Sequence, residues 1–462
     1  MEKTPVPLET IVSLAKRRGF IFPGSEIYGG LAGTFDYGPL GVALKKNIEN
    51  LWWRMFVEER DDMYGIESAI LMSPKVWEAS GHTTTFNDPL IVDTKTQKRY
   101  RADHILEDAG IDPTGMTLEQ MGEVIAQKEI LSPDKNPFSS PQQFNMMFKT
   151  SAGSVEGGEQ TVYLRPETAQ GMFVNFKNIQ DAYHPKLPFG IAQIGHAFRN
   201  EIAPREFIFR VRELEIMELE YFISESNWEE QFELWRSASH TWFSLLGFAG
   251  DEISEVEVEG TDRAHYSKRT LDFYFKYPGG FKEIGGIAYR TDFDLNNHIE
   301  KSGESLTYLD KETNEREVPH VIEPTFGLGR HILAVLVSSY REDELGGEKR
   351  SYLALPPKLA PIKAMVSPLL KNKPELVQKA KEVRTLLQKI HPAIAWDDNG
   401  NIGKRYRRQD EIGTPFCITI DFDTLGENPD LLDTVTLRHR DTGEQERLSL
   451  EEVSEKIRTA LA

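Results

Sequence analysis

The spacing of apolar residues predicts a long helix and then a strand within the first 80 residues. Between residues 41 and 61 the sequence has apolar side chains at helical spacing and no proline. Five of them share one face: Leu44, Ile48, Leu51, Trp52 and Met55. The next run, ESAILMSP, predicts a strand that ends at Pro74, because proline cannot donate a hydrogen bond to a neighbouring strand.

Short apolar and aromatic runs dominate the chain beyond Val162. They are FGIAQIG, FIFRVRELEIMELEYF, TLDFYF, KEIGGIAYRTDFDL and HVIEPTFG. Such a series predicts a large antiparallel sheet, with helices at residues 228–243 and 330–340 packed on it.

Composition shifts predict three regions. Residues 81–160 are polar and rich in turn-forming residues, which predicts an insertion in a main body made of residues 1–80 and 161–350. Pro356 and Pro357 mark a second boundary. In residues 356–462, strand-like runs such as FCITIDF and TVTLRHR alternate with a helical run at 374–390, which predicts an α/β module. The fold class expected is therefore mixed α and β (α+β).

Composition favours a folded enzyme. Of 462 residues, 27% are charged and 10% aromatic, unlike disordered or collagen-like chains. The apolar run at 332–337 is far shorter than the ~20 residues of a membrane span, and MEKTPVPLET lacks a signal pattern, so we expect a cytoplasmic protein with no membrane partner. Cys417 is the single cysteine and lies in a run typical of a buried strand; disulfides and Cys-rich metal sites are excluded.

Charge is distributed unevenly along the chain. The net charge of −19 argues against a nucleic-acid partner. Residues 356–462, however, hold 17 basic and 17 acidic residues, so all the excess negative charge lies in the first 355 residues. The densest basic cluster also lies in this neutral module: Lys404, Arg405, Arg407 and Arg408, with Tyr406 interleaved. The cluster is compatible with RNA binding and with an ordinary solvated face.

Three segments carry candidate chemistry. FRNE (198–201) and FIFRVRE (207–213) would place Arg199 and Arg210 on two hairpin strands joined by a turn near Pro204, where both guanidiniums can clamp a phosphate; ordinary surface ion pairing is the alternative. GLGR (327–330) follows EPTF at a strand-to-helix junction suited to an anion. In LRPETAQG (164–171), Glu167 or Thr168 has an alternative role at a helix start.

Three features in order resemble the three signature motifs of class II aminoacyl-tRNA synthetases: the long helix with the strand that ends at Pro74, then FRNE with the arginine-rich run after it, then GLGR after a strand. Six segments, LRPETAQG among them, resemble the homodimeric glycyl-tRNA synthetases: GLAGTFDYGPLG (30–41), RADH (101–104), FNMMFKT (144–150), LRPETAQG (164–171), GIAYRTDFDL (286–295) and RYRRQDEIGTPFC (405–417). The resemblance covers almost the whole chain. It implies a catalytic domain with an antiparallel sheet flanked by helices in the main body, and an anticodon-binding domain in residues 356–462.

The resemblance implies that ATP is a substrate and that Mg²⁺ assists. Arg199 and Arg330 are the implied catalytic residues; Arg199 would hold the α-phosphate, and Phe209 would stack on adenine. The remaining implied ATP contacts are Asn200, Glu201, Arg210, Val211, Arg212, Glu213, Leu214, Glu283, Ile284, Gly327, Leu328 and Gly329. Glu283 and Glu323 are candidate Mg²⁺ ligands. Positioning and charge stabilisation suffice for this reaction, because the amino-acid carboxylate is itself the nucleophile.

The resemblance also implies a glycine pocket rich in carboxylates. Its implied members are Arg101, Glu167, Leu214, Glu215, Ile216, Met217, Glu218, Glu323, Pro324, Thr325, Phe326 and Gly327. The carboxylates of Glu167, Glu218 and Glu323 can accept hydrogen bonds from the substrate ammonium. A pocket of this size excludes alanine by overpacking, and no natural amino acid is smaller, so no editing domain is expected.

Implied partners are tRNA(Gly), contacted through Lys404, Arg405, Tyr406 and Arg407, and a second copy of the chain, held through the helix that bears Trp52 and Trp53. A core helix in a monomer is the alternative to the dimer.

The sequence departs from the family at a few positions. Leu214 and Ile216 replace the phenylalanine and glutamine of many relatives. The segment ILSPDKNPFSSP lacks the cysteine pair that several relatives carry, so no structural zinc is expected. The acidic pocket argues against a histidyl, threonyl or prolyl enzyme. The four retained charges Arg199, Glu201, Arg210 and Arg330 argue against a non-catalytic relative such as the accessory subunit of mitochondrial DNA polymerase.

Overall fold

The computed structural model describes residues 6–153, 160–260, 263–264, 266–311 and 313–462. The first elements are α1 (Leu8–Arg18), β1 (Ile21–Pro23), β2 (Phe35–Tyr37), α2 (Pro39–Trp53), β3 (Met63–Gly65), β4 (Leu71–Met72) and α3 (Pro74–Ala79). Those of the predicted insertion and the strand that follows it are α4 (His82–Thr85), β5 (Asn87–Val92), β6 (Arg99–Arg101), α5 (Ala102–Asp108), α6 (Leu118–Gln127), β7 (Gln142–Asn145), β8 (Lys149–Ala152) and β9 (Gln160–Leu164).

The main body continues with the elements that form its large sheet and its helices. They are α7 (Ala169–Phe173), α8 (Phe176–Tyr183), β10 (Phe189–Phe198), β11 (Glu213–Ile223), α9 (Trp228–Leu245), β12 (Ile253–Glu257), β13 (Arg269–Tyr277), β14 (Gly280–Thr291), α10 (Phe293–Ser302), β15 (Tyr308–Leu309), β16 (Arg316–Glu317), β17 (His320–Gly327), α11 (Leu328–Ser339), β18 (Tyr340–Leu345) and β19 (Glu348–Leu353).

The predicted long helix begins at Pro39, two residues earlier than expected, because proline is well suited to the first helical position. The α-helix ends at Trp53 and continues as a π-helical turn over Arg54–Glu58. Trp52 is fully buried in the core of the same chain. It therefore adds no surface for a second copy, contrary to the sequence expectation, and only Trp53 is partly exposed.

The predicted strand before Pro74 is much shorter than expected. Only Leu71–Met72 pairs, with Leu164 and Tyr163 of β9, and Pro74 starts α3 rather than ending a strand. The preceding residues from Glu67 to Ile70 make no ladder. They instead line a surface cleft described below.

A seven-stranded sheet, in the order β12-β13-β14-β17-β11-β10-β3, forms the centre of the main body. All neighbours are antiparallel except β10 and β3. Since successive side chains of a strand point to opposite faces, Met217 and Leu219 of β11 join the core beneath α2, α9 and α11. Glu218 and Glu220 point to the other face of the sheet, which is where the candidate site lies.

Residues of the predicted insertion have a small core of their own. Ile91, Leu106 and Met121 are buried together between β5, α5 and α6. At its end the segment joins the main body, because β8 pairs with β9 and β9 pairs with β4. This local core supports the predicted insertion at 81–160.

The C-terminal module is built on a five-stranded mixed sheet in the order β21-β20-β22-β23-β24. Its elements are β20 (Ala364–Pro368), α12 (Pro374–Gln388), β21 (Ile394–Trp396), α13 (Ile402–Ile412), β22 (Phe416–Ile420), β23 (Thr434–His439), β24 (Gln445–Ser449) and α14 (Leu450–Leu461). Cys417 lies on β22 and is buried, as predicted, and burial raises the pKa of its thiol. In the part of the chain that the structure describes, no helix has the length and apolar character needed to cross a membrane.

A buried cluster of charges joins the module to the main body. The Asp410 carboxylate, on α13, accepts two hydrogen bonds from Arg438 at 2.8 and 2.9 Å and one from Arg350 at 3.0 Å. Arg350 lies on β19 and also donates to both carboxylate oxygens of Asp343. All three members of this bridge, Arg350, Asp410 and Arg438, are at most 5% exposed.

Helix α13 carries the predicted tRNA-binding cluster but does not present all of it to solvent. Arg405 is 2% exposed, and its guanidinium donates to the Ser367 hydroxyl at 2.6 Å and to the Gly400 carbonyl at 2.7 Å. The Tyr406 hydroxyl is hydrogen-bonded to Thr419 at 2.7 Å, and the Arg438 guanidinium covers its ring. Both side chains thus support the module from within, contrary to the expectation of direct tRNA contact. Lys404 is exposed and Arg407 is partly exposed.

Candidate active site

A cleft of about 1070 Å³ opens on the face of the large sheet to which Glu218 points. The sequence-predicted residues that line it are Arg101, Glu167, Arg199, Glu201, Phe209, Arg210, Val211, Glu213, Leu214, Glu215, Ile216, Glu218, Glu283, Glu323, Thr325, Gly327, Gly329 and Arg330. Those that lie outside its lining are Asn200, Arg212, Met217, Ile284, Pro324, Phe326 and Leu328. The cleft therefore brings the predicted ATP and glycine residues together in one space.

Arg199 and Arg210 both reach the cleft, but from the loop between β10 and β11 rather than from hairpin strands as predicted. The strands end at Phe198 and start again at Glu213. Between them Glu206 and Phe207 have positive φ angles and lead into a 3-10 turn at Phe207–Phe209. A backbone that turns in this way cannot pair as a ladder, which is why the FIFRVR run is not a strand.

Each arginine of this loop is held at its base. The Arg199 side chain donates from Nε to the Pro166 carbonyl at 3.1 Å, and its backbone N–H donates to the Arg212 carbonyl at 2.9 Å. Arg210 donates from Nε to the buried Glu201 carboxylate at 2.8 Å. Arg212 spans Glu201 and Ala32 by donating to their carbonyls, a structural role. Both guanidiniums are thus held in fixed orientations at the cleft.

Phe209 and Arg330 form the far end of the cleft. The Arg330 guanidinium lies over the Phe209 ring, 4.6 Å from its centroid, and donates to the Glu283 carboxylate at 2.9 Å. Tyr277 supports this end, because its hydroxyl donates to the Arg330 carbonyl at 2.8 Å and its ring meets Phe209 edge-on. A Cβ at Gly329 would lie 3.2 Å from the Ile208 carbonyl oxygen, so any larger residue would press on the loop that carries Phe209.

Buried carboxylates form the opposite end. Glu218 lies across from Thr325 on the neighbouring strand and accepts a hydrogen bond from its hydroxyl at 2.8 Å. The Thr168 hydroxyl donates to the other oxygen of Glu218. Glu323 lies two residues from Thr325 on β17, on the same face. The two carboxylates are therefore fixed side by side at the bottom of the cleft.

Arg290 organises this acidic end, although the sequence analysis assigned it no role. It is 1% exposed and donates to Glu323 at 2.7 Å and to both oxygens of Asp294. Gln170 extends the network by donating to Asp294 at 2.9 Å and to Glu167 at 3.0 Å. The signal was present in RTDFD, because Arg290 and Asp294 are four residues apart, the spacing of a local ion pair across the turn that starts α10.

Glu220 is a second residue that the sequence analysis missed. Its carboxylate is fully buried, its nearest acidic neighbours are Glu218 and Glu323, and among the described residues neither of its oxygens has a hydrogen-bond partner. Burial and the charge of Glu323 raise its pKa well above the usual range. Burial, with Glu218 and Glu167 nearby, raises the pKa of Glu323 to about 8 against the effect of Arg290. The period-two spacing of Glu218 and Glu220 already indicated two carboxylates on one face.

Glu283 and Glu323 do not form one metal site. Ala288 of β14 lies opposite Glu323, and Glu283 is five residues further along β14, which separates the two backbones by roughly 16 Å. The two candidate Mg²⁺ ligands therefore lie in different parts of the cleft, and their role as Mg²⁺ ligands stays a prediction. Glu283 instead lies near Asp272, whose pKa rises to about 7 because of burial and the charge of Glu283. This pair of carboxylates in the open cleft is of the oxygen-donor type that Mg²⁺ prefers.

A second cleft, of about 1260 Å³, lies beside the first and shares His196 and Glu215 with it. Its walls are α2, through Lys46, Asn50 and Trp53, the unpaired run from Glu67 to Ile70 with Leu71 of β4, and the exposed side of β10. Lys45 of α2 forms an ion pair with Glu215, which also lies 3.1 Å from His196. The helix predicted to form a dimer interface is thus tied directly to the lining of the candidate active site.

Comparison with known proteins agrees with this architecture. A family model described as tRNA synthetase class II core domain (G, H, P, S and T) matches residues 148–340, and one described as anticodon binding domain matches residues 363–460. The chain is 49% identical over 459 residues to a glycine–tRNA ligase of Lysinibacillus sphaericus, with 97% of this chain and 98% of the relative covered. It is 48% identical over 454 residues to one of Bacillus cereus (96% and 97% covered) and 47% identical over 466 residues to one of Geobacillus kaustophilus (99% and 99% covered).

These matches confirm the fold class and the family that the sequence motifs indicated. The class II core model covers six of the seven strands of the large sheet, all but β3, and the anticodon-binding model covers the α/β module. The likeness extends over nearly the full length of both this chain and its relatives, and so the chain belongs to the glycine–tRNA ligases, a family of class II aminoacyl-tRNA synthetases.

Proposed function

We propose that the cleft activates glycine with ATP and transfers it to the 3′ end of tRNA(Gly). A carboxylate oxygen of glycine attacks the α-phosphorus, the bond from that phosphorus to the bridging oxygen breaks, and pyrophosphate leaves. A ribose hydroxyl at the tRNA 3′ end then attacks the carbonyl carbon of glycyl-adenylate, and AMP leaves. The observation that carries the proposal is one cleft with two fixed arginines at one end and an acidic pocket at the other.

The arginine loop suits the ATP phosphates. Negative charge builds up around the α-phosphate as pyrophosphate departs, and Arg199 is already oriented by Pro166 to meet it. Arg210, held by Glu201, would clamp a second phosphate oxygen. Adenine would stack on Phe209 with Arg330 on its other face. Because both cations are positioned in advance, little reorganisation is needed in the transition state.

Mg²⁺ fits the Phe209 end of the cleft better than the glycine end. Glu283, with Asp272 beside it, would hold the ion, and its positive charge would counteract the burial and the Glu283 charge that together raise the pKa of Asp272. Bound there, Mg²⁺ would supply charge neutralisation for the phosphates. Glu323 is committed to Arg290 and belongs to the acidic pocket.

The acidic pocket suits an amino acid that offers only an ammonium and a carboxylate. Glu218, Glu323 and Glu167 lie around it, and a single ammonium has three N–H donors to give them. Two of these carboxylates are held by Thr325, Thr168 and Arg290, so they cannot move aside for a larger substrate. A methyl group on the substrate would overpack such a site, which favours glycine over alanine.

The anticodon-binding module would hold tRNA through surface cations rather than through its total charge. Lys404 is exposed at the start of α13, and Arg407 is partly exposed beside it. Screening limits the field of the acidic main body to about 8–10 Å, so local positive charge decides where RNA binds. We retain Lys404 and Arg407 as tRNA contacts, and Arg405 and Tyr406 as their internal support.

A homodimer in the cytoplasm completes the proposal. The second cleft exposes Trp53, Ala69, Ile70 and Leu71 next to charged rims, the mixture of an apolar centre and a polar border that protein interfaces show. A second copy seated there would pack against α2 and, through Lys45 and Glu215, bear on the active-site lining.

Amino-acid-dependent exchange between ATP and pyrophosphate tests the proposed reaction. The purified protein, assayed with each of the twenty amino acids, should show exchange with glycine and none with alanine or serine. Charging of tRNA(Gly) with glycine in the same preparation tests the second step. Exchange with another amino acid and none with glycine would contradict the proposal.

A further inference from the structure

His82 lies between the main body and the acidic pocket, and neither ATP binding nor glycine binding as proposed above involves it. It is the first residue of α4, just after Gly81, which has a φ of +82°. Its ring packs edge-on against the fully buried Trp77 and also meets Phe86. The side chain is only 11% exposed. A histidine held this firmly has one orientation for its two nitrogens.

Those two nitrogens face different partners. Nδ1 lies 2.8 Å from the Ser80 hydroxyl, and Nε2 lies 3.3 Å from Oε2 of Glu167. A carboxylate oxygen only accepts hydrogen bonds, so Nε2 carries the proton that points to Glu167. Nδ1 can then accept from the Ser80 hydroxyl, and this contact fixes both the tautomer and the plane of the ring.

His82 and Gln170 hold the two oxygens of the Glu167 carboxylate. Gln170 donates to Oε1 at 3.0 Å, and His82 provides the contact to Oε2. Burial acts to raise the pKa of this carboxyl, but His82 and Arg290 hold it below its ordinary value. With both oxygens held, the carboxylate presents a fixed edge to the cleft, which it lines.

We propose that His82 is a positioning residue for glycine: the Ser80–His82 pair holds the Glu167 carboxylate in the orientation that receives the substrate ammonium. The inference rests on the proposed function, in which Glu167 belongs to the glycine pocket. His82 itself does not touch the substrate. Loss of its Nε2–H would leave Oε2 free to rotate away, and glycine would bind more weakly while the ATP end stayed intact.

The position of His82 in the chain adds a consequence. It opens the segment 81–160, and Arg101 of the same segment also lines the cleft. Arg101 is held by Asp88 at 2.8 Å, also within that segment. The predicted insertion thus lines the cleft through Arg101 and contacts Glu167 of the glycine pocket through His82, so substitutions where it joins the main body near His82 should change glycine affinity.

Two substitutions of His82 separate the proposed role from simple support of the fold. In His82→Gln the amide nitrogen occupies about the place of Nε2 and keeps a donor for Glu167. In His82→Asn the shorter amide reaches only the position of Nδ1, so the donor to Glu167 is lost. Glycine-dependent pyrophosphate exchange should show a KM for glycine raised about tenfold or more in His82→Asn and within about threefold of wild type in His82→Gln. The KM for ATP and the kcat at saturating glycine should stay within about threefold in both.

His240→Asn is the matched control, because His240 forms a similar contact with Glu255, at 2.7 Å, on the exposed side of α9. It should leave both KM values unchanged. The inference is overturned if His82→Asn and His82→Gln behave alike, or if His82→Asn raises the KM for ATP as much as that for glycine, which would mark a purely structural role.

Glu167→Gln distinguishes failure of the inference from failure of the proposed site. If Glu167→Gln raises the KM for glycine and His82→Asn does not, only the inference fails. If Glu167→Gln itself leaves the KM for glycine unchanged, the assignment of Glu167 to the glycine pocket fails, and the inference is overturned with it. If each single substitution raises the KM for glycine, the double variant His82→Asn with Glu167→Gln should have a KM for glycine little higher than that of Glu167→Gln alone. The two substitutions remove the same interaction.

Discussion

The guanidinium of Arg330 covers the ring of Phe209, 4.6 Å from the ring centroid. A purine that stacks on Phe209 must enter between the two groups, so Arg330 has to lift and its contact with Glu283 has to loosen. In the proposed function, adenine binding would therefore release the Glu283 carboxylate from Arg330. The freed carboxylate is the one proposed to hold Mg²⁺.

The first prediction concerns this stacking surface. Phe209→Ala should raise the KM for ATP about tenfold or more, because stacking of a base on an aromatic ring contributes about 1–3 kcal/mol. Phe209→Tyr keeps the ring and should stay within about threefold. Pyrophosphate exchange at varied ATP measures both, and the KM for glycine should not change. Equal values for the alanine and tyrosine variants would show that adenine lies elsewhere.

Arg199→Ala should nearly abolish formation of glycyl-adenylate without unfolding the protein. The side chain meets charge that develops in the transition state, and loss of one such donor costs about 3–4 kcal/mol, or two to three orders of magnitude in rate. Single-turnover adenylate formation provides the measurement. Arg458→Ala, which removes an exposed arginine of the C-terminal helix, is the control. If the rate of adenylate formation fell by less than tenfold in Arg199→Ala, the proposed contact of Arg199 with the α-phosphate would be wrong.

Glu218→Gln should weaken glycine binding more than ATP binding. The substitution keeps the shape of the side chain and one acceptor for Thr325 or Thr168, but it removes the negative charge that faces the ammonium. Charge-assisted hydrogen bonds are worth roughly 1.5–3 kcal/mol, so we expect the KM for glycine to rise at least tenfold. Comparable losses of affinity for the two substrates would place Glu218 outside the glycine pocket.

The second cleft predicts a dimer that a charge placed in it will disrupt. Sedimentation of the wild-type protein should give about twice the 52.7 kDa mass of one chain. Ala69→Arg, in the cleft, should shift the equilibrium towards monomer, because it buries an unpaired cation in the interface. Leu432→Arg, at an exposed position of the C-terminal module, is the control. A wild-type mass near 52.7 kDa at all concentrations would rule out the dimer.

On helix α13, the solvent-accessible side chains of Lys404 and Arg407 should affect tRNA binding, whereas the buried side chain of Arg405 should affect stability. Replacing Lys404 and Arg407 with alanine should raise the KM for tRNA and flatten its salt dependence, with glycine-dependent exchange unchanged. Arg405→Ala should lower the stability of the module by roughly 1–3 kcal/mol, because Ser367 and the Gly400 carbonyl lose their buried donor. Thermal unfolding and aminoacylation at low tRNA concentration separate the two. A normal KM for tRNA in the Lys404 and Arg407 variant would place the RNA contact on another surface.

The parts of the site that follow from strand alternation were accessible to sequence reasoning. Glu218 and Thr325 face the cleft because both strands are regular, and period-two spacing fixes their side. The loop that carries Arg199 and Arg210 was not accessible in the same way, since its course depends on positive φ angles at Glu206 and Phe207 that apolar patterning does not indicate. The pattern FIFRVR therefore predicted a strand where the chain turns.

Contacts between distant segments account for the other differences. Arg405 and Tyr406 belong to a basic run that is typical of a surface, but Ser367, Gly400 and Thr419 converge on them and bury both. Arg290 of β14 contacts Asp294 and Glu323 only because α10 and β17 pack next to β14. Long-range packing of this kind overrides local composition: the four-residue spacing of Arg290 and Asp294 indicates their ion pair, but not the contact of Arg290 with Glu323.

The bridge formed by Arg350, Asp410 and Arg438 makes the two halves of the molecule poor candidates for separation by protein engineering. Cutting the chain near Pro356 would leave Asp410 with one of its two guanidinium partners and Arg350 with none from α13, each in a site built to exclude water. A chimera that borrows the anticodon-binding module from a relative would have to import the β18–β19 hairpin as well. Recombination between members of this family should therefore succeed at the start of β18 and fail at the proline-rich linker, although the linker is the more obvious place to join two domains.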